Sequence, residues 1–462
     1  MLIRLSVENF RSIKDRVELS LIPGKTQRLE NHVFKGTGKN GLDVLKGAII
    51  YGANASGKSN LVKAVLLARN LVKKGTRANQ SISVTPFKLN TVSNNSPTRI
   101  EFEFRSKGMQ LAYGFSITSL HVVEEWLFLI GKGKEEVVFE RVFDIDSNKY
   151  KTTFGKIKFK NNEEKQFLNF VAKGTRHNQL FLAEVIEREV KENVSGIDSI
   201  MNAIYWFDKI LTVITPKSRY HGIEAKIQKN QDKSIHYANY LNHFDTGING
   251  IDLVESDFEQ FSGQGDRLKQ DSIEKIKALK EGENLFINAP DSSRYMICKS
   301  DDDDDLKLFK LVTQHRHIDS DQISYFDLNE ESDGTQRLMD LIPGFIDAIE
   351  GEKVFFIDEL DRSLHPVISR TIIDDFFNKN PASKSQLIVT THEASLLDQD
   401  IIRKDEIWFV EKNKDGVSTA YSLEEFKPVR FDTDIQKGYL NGRYGAIPFI
   451  RGAQHVADFL NE

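Results

Sequence analysis

An α/β fold, with a largely parallel sheet assembled from both ends of the sequence, is what three features of this 462-residue chain predict. First, the short apolar run Gly47-Ala48-Ile49-Ile50-Tyr51 enters a glycine-containing turn and then the helically spaced apolar residues of Asn60 to Leu67. Second, Val354-Phe355-Phe356-Ile357, Leu387-Ile388-Val389-Thr390 and Ile407-Trp408-Phe409-Val410 are continuous apolar runs, suited to strands covered on both faces. Third, Arg99 to Arg105, Met109 to Ile117 and Glu124 to Ile130 alternate with period two between polar turns, which adds an antiparallel sheet.

Taken in order, residues 1–20 read as two strands joined by a bend at Asn9 and Ser12, and Ser81 to Leu89 reads as a further strand. From about Glu163 the pattern becomes helical, with stripes at Phe167, Leu168, Phe170 and Val171 and at Ile197, Ile200, Met201, Ile204 and Tyr205. Another helix is expected over Asp271 to Leu279, and no heptad pattern persists as a long coiled coil would require. The expected organisation is therefore an N-terminal part over 1–160, a mainly helical insertion over 161–320, and a C-terminal α/β part over 321–462.

Bulk composition excludes several classes. A single Cys298 excludes a disulfide framework and a cysteine zinc site and points to a reducing cytoplasm. No run approaches a membrane span, and the first residues have no signal-peptide architecture. A net charge of -5 gives no global attraction to nucleic acid, so DNA binding is neither demanded nor forbidden.

Gly52, Gly57, Lys58 and Ser59 stand in the spacing GxxxxGK[ST], between the first strand and its helix. In that context the backbone N–H groups of Asn54, Ala55, Ser56 and Gly57, together with the helix N-terminus, can cradle phosphates. Lys58 would neutralise the β- and γ-phosphates of ATP, Ser59 would offer its hydroxyl to magnesium, and Asn60 follows in the same turn. At the end of VFFIDE, Asp358 would hold the Mg2+ shell and Glu359 would orient or deprotonate the attacking water. His392, after QLIVTT, would emerge at the sheet edge where open parallel sheets bind ligands. Taken alone, these are a glycine turn, a surface acidic pair and a structural histidine. Their order along the chain is what gives them chemistry.

At Ser332-Asp333-Gly334-Thr335-Gln336 a helix N-cap is the plain reading. The stretch also resembles the signature of ATP-binding-cassette ATPases, in which a Ser-Gly-Gly-Gln-like helix start binds the γ-phosphate held by the opposite protomer. Ser332, Gly334 and Gln336 match that pattern, while Asp333 and Thr335 depart from it. The resemblance places Asp361 in a dimer-contacting loop and leaves the glutamine that senses magnesium unassigned, Gln80 being one candidate. The separation of Gly52 from Asp358 resembles the split cassettes of SMC, RecF and OLD-like ATPases, as does the opening VENFRSIKD.

More narrowly, GANASGKSN, SDGTQR, DELDRSLHP and NGRYGAIPF are similar to the AAA15/AAA21 group of bacterial defence ATPases. That resemblance implies an ATPase that forms a homo-oligomer and holds a separate TOPRIM-type or HNH nuclease effector until a phage-encoded trigger arrives. The stretch after His392 is too short for a cassette strand plus an appended nuclease, which favours a separate partner. The alternative is a RecF/SMC-like repair or maintenance ATPase that binds DNA. Three further features carry plain expectations: Asp301 to Asp305 as a solvated loop, Lys156, Lys158 and Lys160 as a solvated strand face, and Gly442-Arg443-Tyr444-Gly445 as structural docking of the C-terminus.

Overall fold

Five parallel strands form the sheet that positions the phosphate loop. Its order is Leu211–Ile214, Val354–Ile357, Gln386–Thr390, Gly47–Tyr51 and Ile407–Lys412, with Ser418–Ser422 added antiparallel at the edge. This is a computed structural model; it describes residues 1–36, 41–131, 134–144, 146–155, 157–216, 223–256, 276, 279, 283–289, 293–299, 306–426 and 433–448. Every residue of VFFI, QLIVT and GAIIY is buried, as expected of central strands with both faces covered. The fold is of the expected α/β class.

The chain divides into two compact units. The first comprises Met1–Thr215, Gly351–Leu360 and Arg370–Glu462, and the second Pro216–Glu350 with Asp361–Ser369. These divisions fall elsewhere than at 160 and 320, because the helices Asn162–Gly174, Phe181–Glu187 and Asp198–Tyr205 bury their apolar stripes in the first unit's core.

That core also lies under a seven-stranded antiparallel sheet. Its order is Lys149–Phe154, Lys134–Asp144, Val122–Gly131, Met109–Ile117, Thr98–Ser106, Leu2–Glu8 and Val17–Ser20. Strict alternation over Thr98–Ser106 puts Ile100, Phe102 and Phe104 inside, where Phe104 stacks on Trp206 with ring centroids 4.4 Å apart. The helix Lys58–Lys74 buries Leu61, Val62, Ala64, Val65, Ala68, Leu71 and Val72 along one stripe. Glu125 caps the next layer: it accepts from Phe181 N at 2.5 Å, Leu182 N at 3.2 Å and the Tyr113 hydroxyl at 2.9 Å. Burial pushes its carboxyl above the ordinary range, against the opposing effect of Arg141 and the two amides.

Ser81 to Leu89 is irregular chain and joins no ladder. Its amides and carbonyls bond elsewhere, with Ile82 N donating to Ser119 O, Phe87 N to Asn9 Oδ1 and Thr85 O accepting from Arg11 N. Lys158 and Lys160 are exposed on irregular chain past the end of Lys149–Phe154 and line no strand face; Lys156 lies outside the described residues. Tyr444 is buried, stacked on Phe409 at 5.9 Å, and its carbonyl accepts from the Tyr421 hydroxyl at 2.8 Å, as structural docking requires.

The second unit contains the helices Ile223–Lys229 and Asp232–His243 and, beyond them, an antiparallel sheet. In that sheet Leu306–Arg316 pairs with Gly250–Ser256, Arg294–Lys299 and Ile323–Asp327, and Asn284–Asn288 pairs with Arg294–Lys299. The insertion thus carries strands as well as its helices. Most of the helix expected over Asp271 to Leu279, and all of Asp301 to Asp305, lie outside the described residues.

Candidate functional site

In the first unit, the phosphate-loop strand Gly47–Tyr51 and the acidic strand Val354–Ile357 are not adjacent; Gln386–Thr390 runs between them. Because all three are parallel and in register (Ile357 beside Val389, Thr390 beside Ile50), their C-terminal ends share one edge. Two strand spacings put Asp358 about 10 Å from the chain that enters the loop, room for the phosphate end of a nucleotide between them.

The loop is strongly curled. Ala55 sits at φ 62 and Gly57 at φ 114, both in the left-handed region, and the helix then runs from Lys58 to Lys74 with no acidic residue in its first turn. A side chain at Gly57 would clash: its Cβ would lie 2.3 Å from Ser418 Oγ and 2.8 Å from Ser12 Oγ. Those two hydroxyls brace the loop from outside. Ser418 Oγ donates to Ser56 O at 2.5 Å, it lies 2.7 Å from Ser12 Oγ, and Asn60 Nδ2 donates to Ser12 Oγ at 2.7 Å. Asn60 therefore faces the brace. Ser12 belongs to the VENFRSIKD opening, whose contribution here is to hold the loop.

Lys58 is buried, and its ammonium donates to Gly52 O at 2.7 Å and Ala53 O at 3.1 Å, which holds it within the loop's curl. Ser56 Oγ is buried without a protein hydrogen-bond partner, and Asn54 and Ala55 are exposed. Curled amides, a helix N-terminus and a fixed ammonium suit a polyphosphate.

At the facing strand end a single hydroxyl organises both carboxylate residues. Thr390 Oγ1 donates to Asp358 Oδ1 at 2.7 Å and accepts from Glu359 N at 2.9 Å. Asp358 and Thr390 are buried, Glu359 is half-buried, and Glu359 holds a left-handed φ of 52. Such a backbone costs on the order of 1–3 kcal/mol and persists where the surroundings fix it. Here Thr390 does so, with Leu360 N donating to Thr390 O at 3.0 Å.

Among the described residues no group of three or more His, Cys, Asp or Glu forms a metal cluster. Magnesium does not need one, since it takes one or two protein oxygens and completes its shell with water and phosphate. The Ser59 hydroxyl and the Asp358 carboxylate are donors of that type.

His392 is exposed just past Thr391. The turn that carries it is fixed: Glu393 caps Ser395 N at 3.0 Å, while Arg370 donates to Ser395 O at 3.2 Å and pairs with Asp398 at 2.6 Å.

Sequence reasoning missed Thr390, Ser418 and Arg370. Only Thr390 left a signal, a hydroxyl residue ending an otherwise apolar strand. Thr390→Val is expected to orphan the Glu359 amide and lower stability by about 1–3 kcal/mol. It should also cut ATP turnover more than ATP affinity. Urea unfolding midpoints and steady-state phosphate release check both, and wild-type turnover in the variant would contradict the positioning role.

In the second unit, Ser332 caps the helix Asp333–Glu350. Its Oγ accepts from Thr335 N at 3.1 Å and its carbonyl from Gln336 N at 2.9 Å. Ser332 is exposed and Gln336 half-buried, its side chain donating to Glu331 O at 3.0 Å. Thr335 is buried, with its hydroxyl 2.9 Å from Ser332 Oγ, so it supports the cap. A Cβ on Gly334 would stand 2.8 Å from Ser363 O, which explains the glycine and puts the Asp361-Arg362-Ser363 turn directly on the signature. Asp361 is half-buried and its carbonyl accepts from Leu364 N at 3.0 Å. Gln80, in the first unit, is exposed, and its carbonyl is held by Asn178 Nδ2 at 2.8 Å.

Among the described residues no helix is long and apolar enough to cross a membrane. Comparison with solved structures finds similar chains at low identity. A crystal structure of an Smc head bound to the C-winged helix domain of ScpA has 13% identity and a TM-score of 0.43, covering 91% of this chain and 97% of that one. An SMC head domain from Thermotoga maritima has 12% identity and a TM-score of 0.37, covering 91% and 98%. An Smc head with an extended coiled coil, bound to the C-terminal domain of ScpA derived from Pyrococcus furiosus, has 14% identity and a TM-score of 0.37, covering 91% and 96%. No curated protein matches the chain. One family model matches residues 48–398, from the phosphate-loop strand through the acidic pair to the turn after His392. The chain belongs to that family, described as AAA domain, putative AbiEii toxin, Type IV TA system.

Proposed function

We propose that this chain is an ABC-type ATPase of a bacterial anti-phage defence system. It binds and hydrolyses ATP with Mg2+ and self-associates so that Ser332 to Gln336 of one copy complete the phosphate loop of another. It holds a separate nuclease effector, TOPRIM-type or HNH, which it releases when a phage-encoded trigger is sensed. Within the family it resembles the ATPase subunit of the PARIS anti-phage system.

The observation that carries the ATPase part is the shared sheet edge, with Lys58 fixed in a curled loop and Thr390 holding Asp358 and Glu359 on the facing strand. Asp358 and Ser59 would hold magnesium, which when bound neutralises charge on the β- and γ-phosphates. Lys58 and the loop amides bind the phosphates, Glu359 takes the proton of the attacking water, and His392 stands at the same edge to bond the γ-phosphate or that water. The exposed Ser332 side chain, beside the half-buried Gln336, supports a signature offered to a second copy.

Cells given this gene together with the gene of the proposed nuclease effector should survive phage challenge, and Lys58→Ala should abolish the protection at unchanged protein level. Full protection by that variant would sink the defence ATPase reading.

A further inference from the structure

Along the solvent face of the helix that starts at Lys58, the first unit carries a groove of ≈ 630 Å³ that is lined by no residue of the phosphate loop or the acidic pair. Arg11, Lys63, Lys74 and Arg77 line it together with the polar Asn70 and Gln80, and no acidic residue lines it. All four cations are exposed. None of them forms an ion pair with a described residue, whereas the neighbouring Lys73 is paired with Asp208 at 2.5 Å. In a chain of net charge -5, four unneutralised cations in one concavity are a local reversal of sign.

The arrangement favours an extended polyanion. Lys63, Asn70 and Lys74 are seven and then four residues apart, so they share one helix face, and Lys63 and Lys74 are about 16 Å apart along its axis. Charges spread over that length match several successive phosphates of one nucleic-acid strand, on the order of five at the rise of a duplex strand. A single phosphate would need them to converge. Phe10, the groove's aromatic residue, is only 3% exposed and offers no face for base stacking. Recognition would therefore run through the backbone and not through base sequence.

We propose that this groove binds the phosphodiester backbone of nucleic acid, without sequence preference, at a site separate from the nucleotide site. The test is fluorescence anisotropy of the full chain with a short labelled DNA duplex, titrated between about 50 and 200 mM salt. The expected slope of log affinity on log salt is about -3 to -4 for four phosphate contacts. Each of Lys74→Gln and Arg77→Gln should reduce that slope by about 1, and the triple variant with Lys63→Gln should reduce it by about 3 with at least a tenfold loss of affinity at low salt.

The proposal is overturned if the wild type does not bind the duplex, if the variants keep the wild-type slope, or if polyglutamate displaces the duplex as well as unlabelled DNA does. Binding of a fluorescent ATP analogue, measured in parallel, should be unchanged in the variants. Failure of the wild type to bind that analogue would defeat the ATPase reading and leave the groove standing, so the two failures are distinguishable.

Discussion

Glu359→Gln is expected to lower ATP turnover by about 100-fold or more while leaving ATP affinity unchanged. The residue follows Asp358 on a left-handed backbone whose amide is fixed to Thr390 Oγ1, so the backbone that carries the carboxylate is held independently of any nucleotide. Glutamine keeps the shape and the backbone bond but cannot accept a proton. Binding, which depends on Lys58 and the loop amides at the other strand, is untouched by the change. The variant should therefore hold ATP without consuming it, and assemblies that depend on bound ATP should persist. Phosphate release and binding of a fluorescent analogue separate the two effects; turnover near the wild-type rate would remove Glu359 from the role of base.

Lys58→Ala is expected to act one step earlier. Its ammonium is buried and anchored to the Gly52 and Ala53 carbonyls, and it is the cation held within the loop's curl. Losing it should reduce ATP affinity and turnover together, turnover by about 100-fold or more. The fold should survive, since the loop keeps its brace through Ser418, Ser12 and Asn60. Loss of binding with an unchanged unfolding midpoint is the expected pattern; unimpaired ATP binding would contradict it.

The central sheet was legible because its signals are local. Continuous apolar runs at Val354, Leu387 and Ile407 need both faces covered, and the loop motif lies between a strand and a helix. Strand order was not legible. Nothing in the sequence says that Gln386–Thr390 separates the loop strand from the acidic strand, because pairing is decided by contacts hundreds of positions apart. For the same reason Thr390, with its bonds to residues 31 and 32 positions earlier, and Ser418, which braces a loop 362 positions earlier, were invisible. The strand Lys134–Asp144 was missed because charged residues run through it, the buried Arg141 among them, and Lys149–Phe154 because its alternation is only between exposed and half-buried positions. Ser81 to Leu89 misled in the opposite sense: Ile82 and Phe87 are buried anchors for an irregular loop whose backbone bonds are scattered over several elements.

Completion of one copy's site by the signature of another is the central claim, and mixing two defective variants tests it most directly. Lys58→Ala ruins the phosphate loop but keeps the signature, while Ser332→Arg blocks the signature but keeps the loop; each alone should be nearly inactive. Mixed in equal amounts, they should recover a substantial fraction of wild-type ATP turnover, because a mixed pair contains one intact composite site. A mixture as inactive as its two components, with both variants folded and associating, would contradict the account.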